Sequence, residues 1–387
     1  MNYHVVDPSD ADAPVRVLAI GAPSVEDHHV YDPDDDRYGL SYASTGSSPD
    51  CLGEPPVTSY NNPYDALRRW SSGAVSTFVV RPLHSRGVVI RLRGVGTGEH
   101  MSTDEFDLRE PELTAADLLV LDDDRFVPET VAIVTGAASG IGRATAVALA
   151  ANGLTVVGAD IDEAGLDGTV DLAEDVGAAG TVHPVPTDLT DDDAVEAMVD
   201  AAAEAGELRY VANVAGMQHI ASIPDFPMEK YDLLLDIMLR GPFLAAKFAM
   251  PHIRATDDGV GAIGNMSSVH GHYATQDKPA YVTAKHGLTG LTRAIAAEGE
   301  GTLRGFSVSV GYVLTPLMVN QIEDTAEERG ISEQEVVEDV MLGQARTKEM
   351  MTPAEVANLF VFGFSSHGKH LNGGDMLHDG GYTTTYE

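Results

Sequence analysis

Eight residues, Thr135-Gly-Ala-Ala-Ser-Gly-Ile-Gly142, link a short apolar run, Thr130–Val134, to a helix-forming stretch, Ile141–Ala151. Three glycines let the backbone turn tightly there. The helix that follows offers unpaired amides and the positive end of its dipole to the turn. A strand, a glycine turn and a helix in that order form a ready cradle for a pyrophosphate. Glycine is common in any tight turn, so the flanking strand and helix carry more weight than the glycines.

The alternation continues downstream. Leu154–Ala159, Val182–Pro186, Tyr210–Asn213, Phe306–Val310 and Met376–His378 read as strands. Asp191–Ala205 and the stretches 229–254, 280–298 and 353–364 read as helices. The pattern predicts an α/β fold: a Rossmann-type, doubly wound parallel sheet over residues 127–387, with its ligand at the carboxyl ends of the strands. Residues 101–126 form an acidic lead-in. Residues 1–100 hold eight Arg, no Lys and 13 acids, whereas residues 101–387 hold 16 basic and 47 acidic residues. The first block has apolar patches at Val75–Val80 and Val88–Ile90 but no sustained period. It is expected to be a poorly ordered extension outside the catalytic domain.

Charge and composition exclude several partners. A formal net charge of -36 disfavours nucleic acid and anionic membranes. The acids are dispersed, which fits a hydrated, halophile-like surface better than an acidic tail. Cys51 is the single cysteine, so no intramolecular disulfide and no cysteine metal site is expected; no metal is assigned. The chain shows no run of 18 apolar residues and no signal peptide at Met1, so a cytoplasmic location is expected.

Asp160 lies 18 residues after Gly142, at the end of the second strand. A carboxylate there accepts from ribose hydroxyls and repels a 2′-phosphate, and no Lys or Arg follows to hold one. NAD is the expected cofactor; a solvated surface aspartate is the plainer reading in so acidic a chain. Ser268, Tyr281 and Lys285 are spaced by 13 and 4 residues. Tyr281 and Lys285 share one face of a helix. A free phenol titrates near pH ~10, and a neighbouring ammonium favours the phenolate, as a base for an alcohol proton requires. Ser268 can hydrogen-bond the substrate oxygen. Each residue alone is commonly structural; the three together, downstream of the glycine turn, are not easily a coincidence.

These motifs, with Asp188, Asn213-Val-Ala-Gly216, Tyr281-Val-Thr-Ala-Lys285 and Gly311-Tyr-Val-Leu-Thr-Pro316, resemble the short-chain dehydrogenase/reductase family over about residues 127–385. The resemblance implies a dinucleotide site built from Gly136, Ser139, Gly140, Ile141, Gly142, Asp160, Asp188, Leu189, Asn213, Ala215, Gly216, Tyr281, Lys285, Val313 and Thr315. Asp188 and Leu189 would lie by the adenine, Asn213 would support the central strand, and Val313 and Thr315 would meet the nicotinamide half. Within the family the chain is most similar to D-3-hydroxybutyrate dehydrogenases. The carrying residues include Gln218-His219, Ser268-Val-His270-Gly271, Lys278-Pro-Ala-Tyr281, Leu314-Thr-Pro-Leu317 with Gln321, and Asp379-Gly-Gly-Tyr382. By that resemblance Gln218, Ser268, His270, Lys278 and Gln321 would bind a small hydroxy or keto acid, and the protein would be a homotetramer.

The chain departs from the family at Met238, which stands where an asparagine usually completes a Ser-Tyr-Lys-Asn set, and at Val310, which replaces a proline. Two other readings stay open. One is a ketoreductase or alcohol dehydrogenase acting on another substrate, including a 3-hydroxyacyl-CoA, although a basic rim for its phosphates is lacking. The other is a non-catalytic NAD-binding regulator, against which Ser268, Tyr281 and Lys285 speak.

Overall fold

The computed structural model describes residues 110–385 continuously, together with five short strands between residues 5 and 90. Those strands include Phe78–Pro82 and Val88–Ile90, and they pair antiparallel in a sheet of their own. The rest of residues 1–109 lies outside the described residues, and so does the expectation that 1–100 is a poorly ordered extension. The chain divides into two compact units, Met1–Asp104 and Glu105–Glu387.

The second unit is built on seven parallel strands: β1 (Thr130–Thr135), β2 (Thr155–Asp160), β3 (Thr181–Pro186), β4 (Glu207–Asn213), β5 (Gly261–Met266), β6 (Leu303–Val310) and β7 (Asp375–His378). Their order is 3-2-1-4-5-6-7. The order reverses between β1 and β4, and the crevice at that switch point is where an open α/β sheet takes its ligand.

Side chains alternate across each strand, and both faces are buried on β1, β2, β4, β5 and β6, whereas the edge strands β3 and β7 are more exposed. Ala132 and Val134 of β1 face one core with α1 (Gly140–Ala151), Leu166 of α2 (Glu163–Asp175) and α8 (Pro353–Phe364). Val131 and Ile133 face the other, with α3 (Asp192–Ala205), α5 (Gly241–Arg254) and Ile295 of α6 (Pro279–Glu298). The lead-in packs on the first core through Leu118 and Phe126. Its backbone is fixed by amide side chains: Leu119 N donates to Asn358 Oδ1 and Leu121 N to Asn152 Oδ1, both at 2.8 Å.

Four elements differ from the sequence reading. The stretch 229–254 is not one helix: α4 (Met228–Leu235) passes into a π-turn, Asp236–Arg240, before α5. α2 and α7 (Pro316–Arg329) were not foreseen, because α2 carries two glycines and α7 has a weak apolar stripe. β5 was also missed: Gly261-Ala-Ile-Gly-Asn-Met holds few of the branched residues that mark strands. Its glycines answer to packing. A Cβ on Gly264 would sit 2.7 Å from Phe306 Cζ and 3.0 Å from Phe360 Cε1.

That contact yields a test. Gly264→Ala forces two buried rings to shift and is expected to cost about 1–3 kcal/mol. At roughly 2–4 °C per kcal/mol for a unit of this size, calorimetry of the variant should show a lowered midpoint. An unchanged midpoint would contradict this account of β5.

Candidate active site

The cofactor cleft starts where β1 ends. Gly136 has φ +73° and Gly140 φ +50°, the left-handed region where glycine is favoured. A Cβ on Gly142 would lie 2.0 Å from the carbonyl oxygen of Gly136, so no side chain fits there. Ser139 stands at the N-cap of α1, but its side chain accepts no capping bond, so no side-chain cap competes for the first-turn amides. Thr135 Oγ1 accepts from Val214 N and Ala215 N at 3.0 and 3.2 Å, which ties the glycine turn to the end of β4 across the switch point.

The cleft holds about 1410 Å³ of empty space, part of it open to solvent. Gly136, Ser139, Gly140, Ile141, Gly142, Asp160, Asp188, Leu189, Ala215, Gly216, Val313 and Thr315 all line it, and Ser268, Tyr281 and Lys285 close its inner end. Asp160 is held at the tip of β2: Oδ2 accepts from Ala138 N and Oδ1 from Asp162 N, each at 3.1 Å. These residues fit a dinucleotide, since the cradle at Gly142 admits backbone but no side chain and a fixed carboxylate stands at the far end.

Asn213 is the exception among the expected cofactor residues: it does not line the cleft. Its Nδ2 donates to Asn265 Oδ1 at 2.9 Å, and Asn265 Nδ2 donates to Thr292 Oγ1 at 2.9 Å. This relay pins β4, β5 and α6 together beneath the site, as a support for the central strand would. Asn265 itself escaped the sequence reading because β5 did.

Ser268 follows β5 and opens a single helical turn, Val269–Gly271; its Oγ accepts from His270 N at 3.2 Å. Tyr281 and Lys285 project from the first two turns of α6. The Lys285 ammonium is buried and donates to Met266 O at 2.7 Å, with Nζ 5.2 Å from the centre of the Tyr281 ring. Burial lowers its pKa to about 8. The tyrosine differs from expectation. Burial raises its pKa, and the contact with Ser268 offsets only part of that. In this structure the ammonium serves a carbonyl at the end of β5, and the phenol is neutral. A backbone carbonyl leaves no trace in a sequence, so Met266 could not have been named in advance.

Of the residues assigned to the substrate, His270 is buried against Ser268, with Nδ1 3.3 Å from Ser268 Oγ and Nε2 3.1 Å from Thr275 Oγ1. Burial and the nearby Lys278 hold its pKa down at about 3, so the ring is neutral. Lys278, at the N-cap of α6, is half-buried and makes no hydrogen bond or ion pair to a described residue. Its pKa is lowered to about 8 by burial, then by Arg329. Gln218 Oε1 accepts from His219 N at 3.2 Å, and Gln321 is buried on α7. Gln218, His270, Lys278 and Gln321 lie outside the lining of the cofactor cleft.

Met238 is fully buried on the π-turn, packed with Leu234, Ala280 and Ala284 and flanked by Tyr281. It supports the catalytic helix by packing and offers no polar group. Among the described residues no group of three or more His, Cys, Asp or Glu is placed to hold a metal ion. None of the described helices is long and apolar enough to cross a membrane.

Comparison with known proteins agrees with this geometry. A family model described as enoyl-(acyl carrier protein) reductase matches residues 136–383. A D-beta-hydroxybutyrate dehydrogenase of Rhizobium meliloti (strain 1021) is 36% identical over 257 residues, covering 65% of this chain and 98% of that protein. A second D-beta-hydroxybutyrate dehydrogenase, from Cupriavidus necator, is 33% identical over 253 residues, 65% of this chain and 96% of its own length. Among solved structures, L-sorbose reductase from Gluconobacter frateurii, complexed with NADPH and L-sorbose, superposes with a TM-score of 0.62 at 26% identity, covering 68% of this chain and 100% of that one.

The pKa of Lys278 gives a pH test. The ammonium is present below about pH 8 and lost above it. For alcohol oxidation the base must be deprotonated, so activity on an uncharged secondary alcohol should rise with pH. For an anionic alcohol that rise should be blunted above about pH 8 as the attraction is lost. The ratio of the two kcat/KM values is therefore expected to fall through that pH, and a flat ratio would remove Lys278 from substrate recognition.

Proposed function

The chain belongs to the short-chain dehydrogenase/reductase family, and on that footing we propose that it transfers hydride between D-3-hydroxybutyrate and NAD, giving acetoacetate. The observation that carries the substrate is Lys278: a half-buried cation with no described partner, near a neutral His270 whose ring lies against Ser268 and Tyr281. A four-carbon hydroxy acid offers one carboxylate and little apolar surface. One ammonium with neutral donors is a fitting receptor for it. The two D-beta-hydroxybutyrate dehydrogenases among the relatives support the same substrate class.

When bound, the oxidised nicotinamide ring accepts the hydride and carries a positive charge. The chain does the rest. Ser268 donates to the substrate oxygen, and Tyr281 takes the hydroxyl proton. Tyr281 does so as the phenolate, its own proton having passed to solvent beforehand, and the positive charge of Lys285 beside it favours that ionised form. Lys278 and His270 orient the carboxylate, so that the carbon to be oxidised faces the cleft. The low pKa of His270 suits it to neutral hydrogen bonding and leaves the charge to Lys278.

Lys278→Met keeps the length of the side chain and removes its charge. It should raise KM for 3-hydroxybutyrate by roughly 10- to 150-fold, the worth of one charge-assisted bond of about 1.5–3 kcal/mol. KM for an uncharged secondary alcohol should hardly move. Equal changes for both substrates would assign Lys278 a structural role.

NAD is proposed over NADP on Asp160, whose carboxylate is fixed toward the cleft with exposed Ile161 beside it. The L-sorbose reductase was solved with NADPH, so cofactor choice within this fold is set locally. Asp160→Ala with Ile161→Arg removes a repulsion and adds a phosphate partner, and should shift the kcat/KM ratio toward NADP by at least tenfold. Faster turnover of NADP by the unaltered protein at equal concentration would overturn the assignment.

A further inference from the structure

Beyond His270 the site continues into aromatic rings that the reaction above leaves unused. His270 stands edge-on to Tyr281, with ring centroids 5.7 Å apart, and stacks on Tyr273 at 5.2 Å. Tyr273 stacks on Tyr382 at 5.7 Å, and Tyr382 meets Tyr312 steeply at 6.0 Å. Tyr312 sits between Gly311 and Val313, which both line the cofactor cleft, and it lies within electrostatic reach of Tyr281. The rings thus run from the catalytic phenol through His270 and three further tyrosines and back toward it.

The three tyrosines follow the carboxyl ends of neighbouring strands: Tyr273 comes after β5, Tyr312 after β6 and Tyr382 after β7. That edge is where this sheet takes its ligands. One hydroxyl is unsatisfied. Tyr273 Oη is buried and makes no hydrogen bond of regular geometry to the protein; the Tyr382 phenol is near enough to raise its pKa but is not aligned to satisfy it. Burial pushes the phenols of Tyr273 and Tyr312 far above their ordinary range, so both keep their protons and can donate. Phenylalanine would stack equally well and would leave no buried hydroxyl short of a well-aligned partner, a state that ordinarily disfavours folding. A partner supplied by a ligand accounts for a tyrosine here.

We propose that Tyr273, with Tyr312 and Tyr382 beside it, is a specificity-determining group that receives a second hydroxyl of the substrate. The preferred substrate is then a short 3-hydroxy acid bearing a further hydroxyl on the carbon beyond the reacting one, of which 3,4-dihydroxybutyrate is the smallest. This rests on the reading given above: the carboxylate stays at Lys278 and the reacting carbon at Tyr281. The step is unchanged. A hydride leaves carbon 3 for NAD, the proton of its hydroxyl passes to Tyr281, and the additional hydroxyl remains intact. A methyl group at that end would leave Tyr273 Oη unpaired, and sites built around a buried hydroxyl discriminate strongly against analogues that lack its partner.

The experiment compares kcat/KM for 3,4-dihydroxybutyrate and 3-hydroxybutyrate, with NAD, in the full-length protein and in Tyr273→Phe. The unaltered protein is expected to favour the dihydroxy acid at least tenfold, and the variant to lower that ratio by about 10- to 100-fold. A preference of the unaltered protein for 3-hydroxybutyrate, or a ratio that Tyr273→Phe leaves in place, overturns the inference while the hydroxy-acid reading stands. Oxidation of neither acid defeats that reading, and this one with it. Should Tyr273→Phe lose NAD binding as a sign of misfolding, Tyr382→Phe removes the adjoining hydroxyl and decides the question by the same ratio.

Discussion

The site depends first on a distance that permits no side chain. At Gly142 the backbone passes so close to the Gly136 carbonyl that a Cβ would overlap it. That approach lets α1 begin directly over the end of β1, with its first amides turned to the cleft. Thr135 then fastens the turn to the end of β4, the strand on the other side of the switch point. Everything downstream inherits this placement. The crevice between β1 and β4 stays open because the two loops that leave it are held apart and in register.

The catalytic end is governed by burial. Lys285 and Tyr281 both sit where water is scarce, and the shortage of solvent disfavours the charged form of each. Lys285 is depressed to about 8 and Tyr281 is raised. One strong acceptor, the Met266 carbonyl, fixes the ammonium in place. The pair is therefore poised: a positive charge arriving near the phenol stabilises its anion more in this medium than in water. The Asn213–Asn265–Thr292 relay beneath keeps β4, β5 and α6 from drifting apart while that charge is moved.

The sequence made the fold legible where period and punctuation agreed. β1, α1, β2 and α6 emerge within a residue or two of where the apolar pattern put them, since each is bounded by glycine, proline or a cap. Ser268, Tyr281 and Lys285 were readable because a three-residue constellation with fixed spacing survives without coordinates. β5 was not, because its character is decided by Phe306 and Phe360 pressing on Gly264, a contact between residues far apart in the chain. The same holds for the Met266 carbonyl and for the three tyrosines, which no spacing brings together. Lys278 was named from resemblance; its lack of a described partner is a property of the folded chain alone.

The π-turn at Asp236–Arg240 has a consequence for how α4 and α5 work as one rod. Each residue of an α-helix advances the helical phase by about 100°, and a π-turn inserts one residue's worth of rotation without breaking the chain. Before it, Leu234 points to the cluster that supports Tyr281; after it, Leu244, Ala245, Ala249 and Ile253 point to the main core under the sheet. A straight helix of the same sequence would keep a single phase and could satisfy only one of those two cores. The extra rotation works like a gear offset, letting one continuous element address two cores at different azimuths, with Met238 at the point where the phase changes.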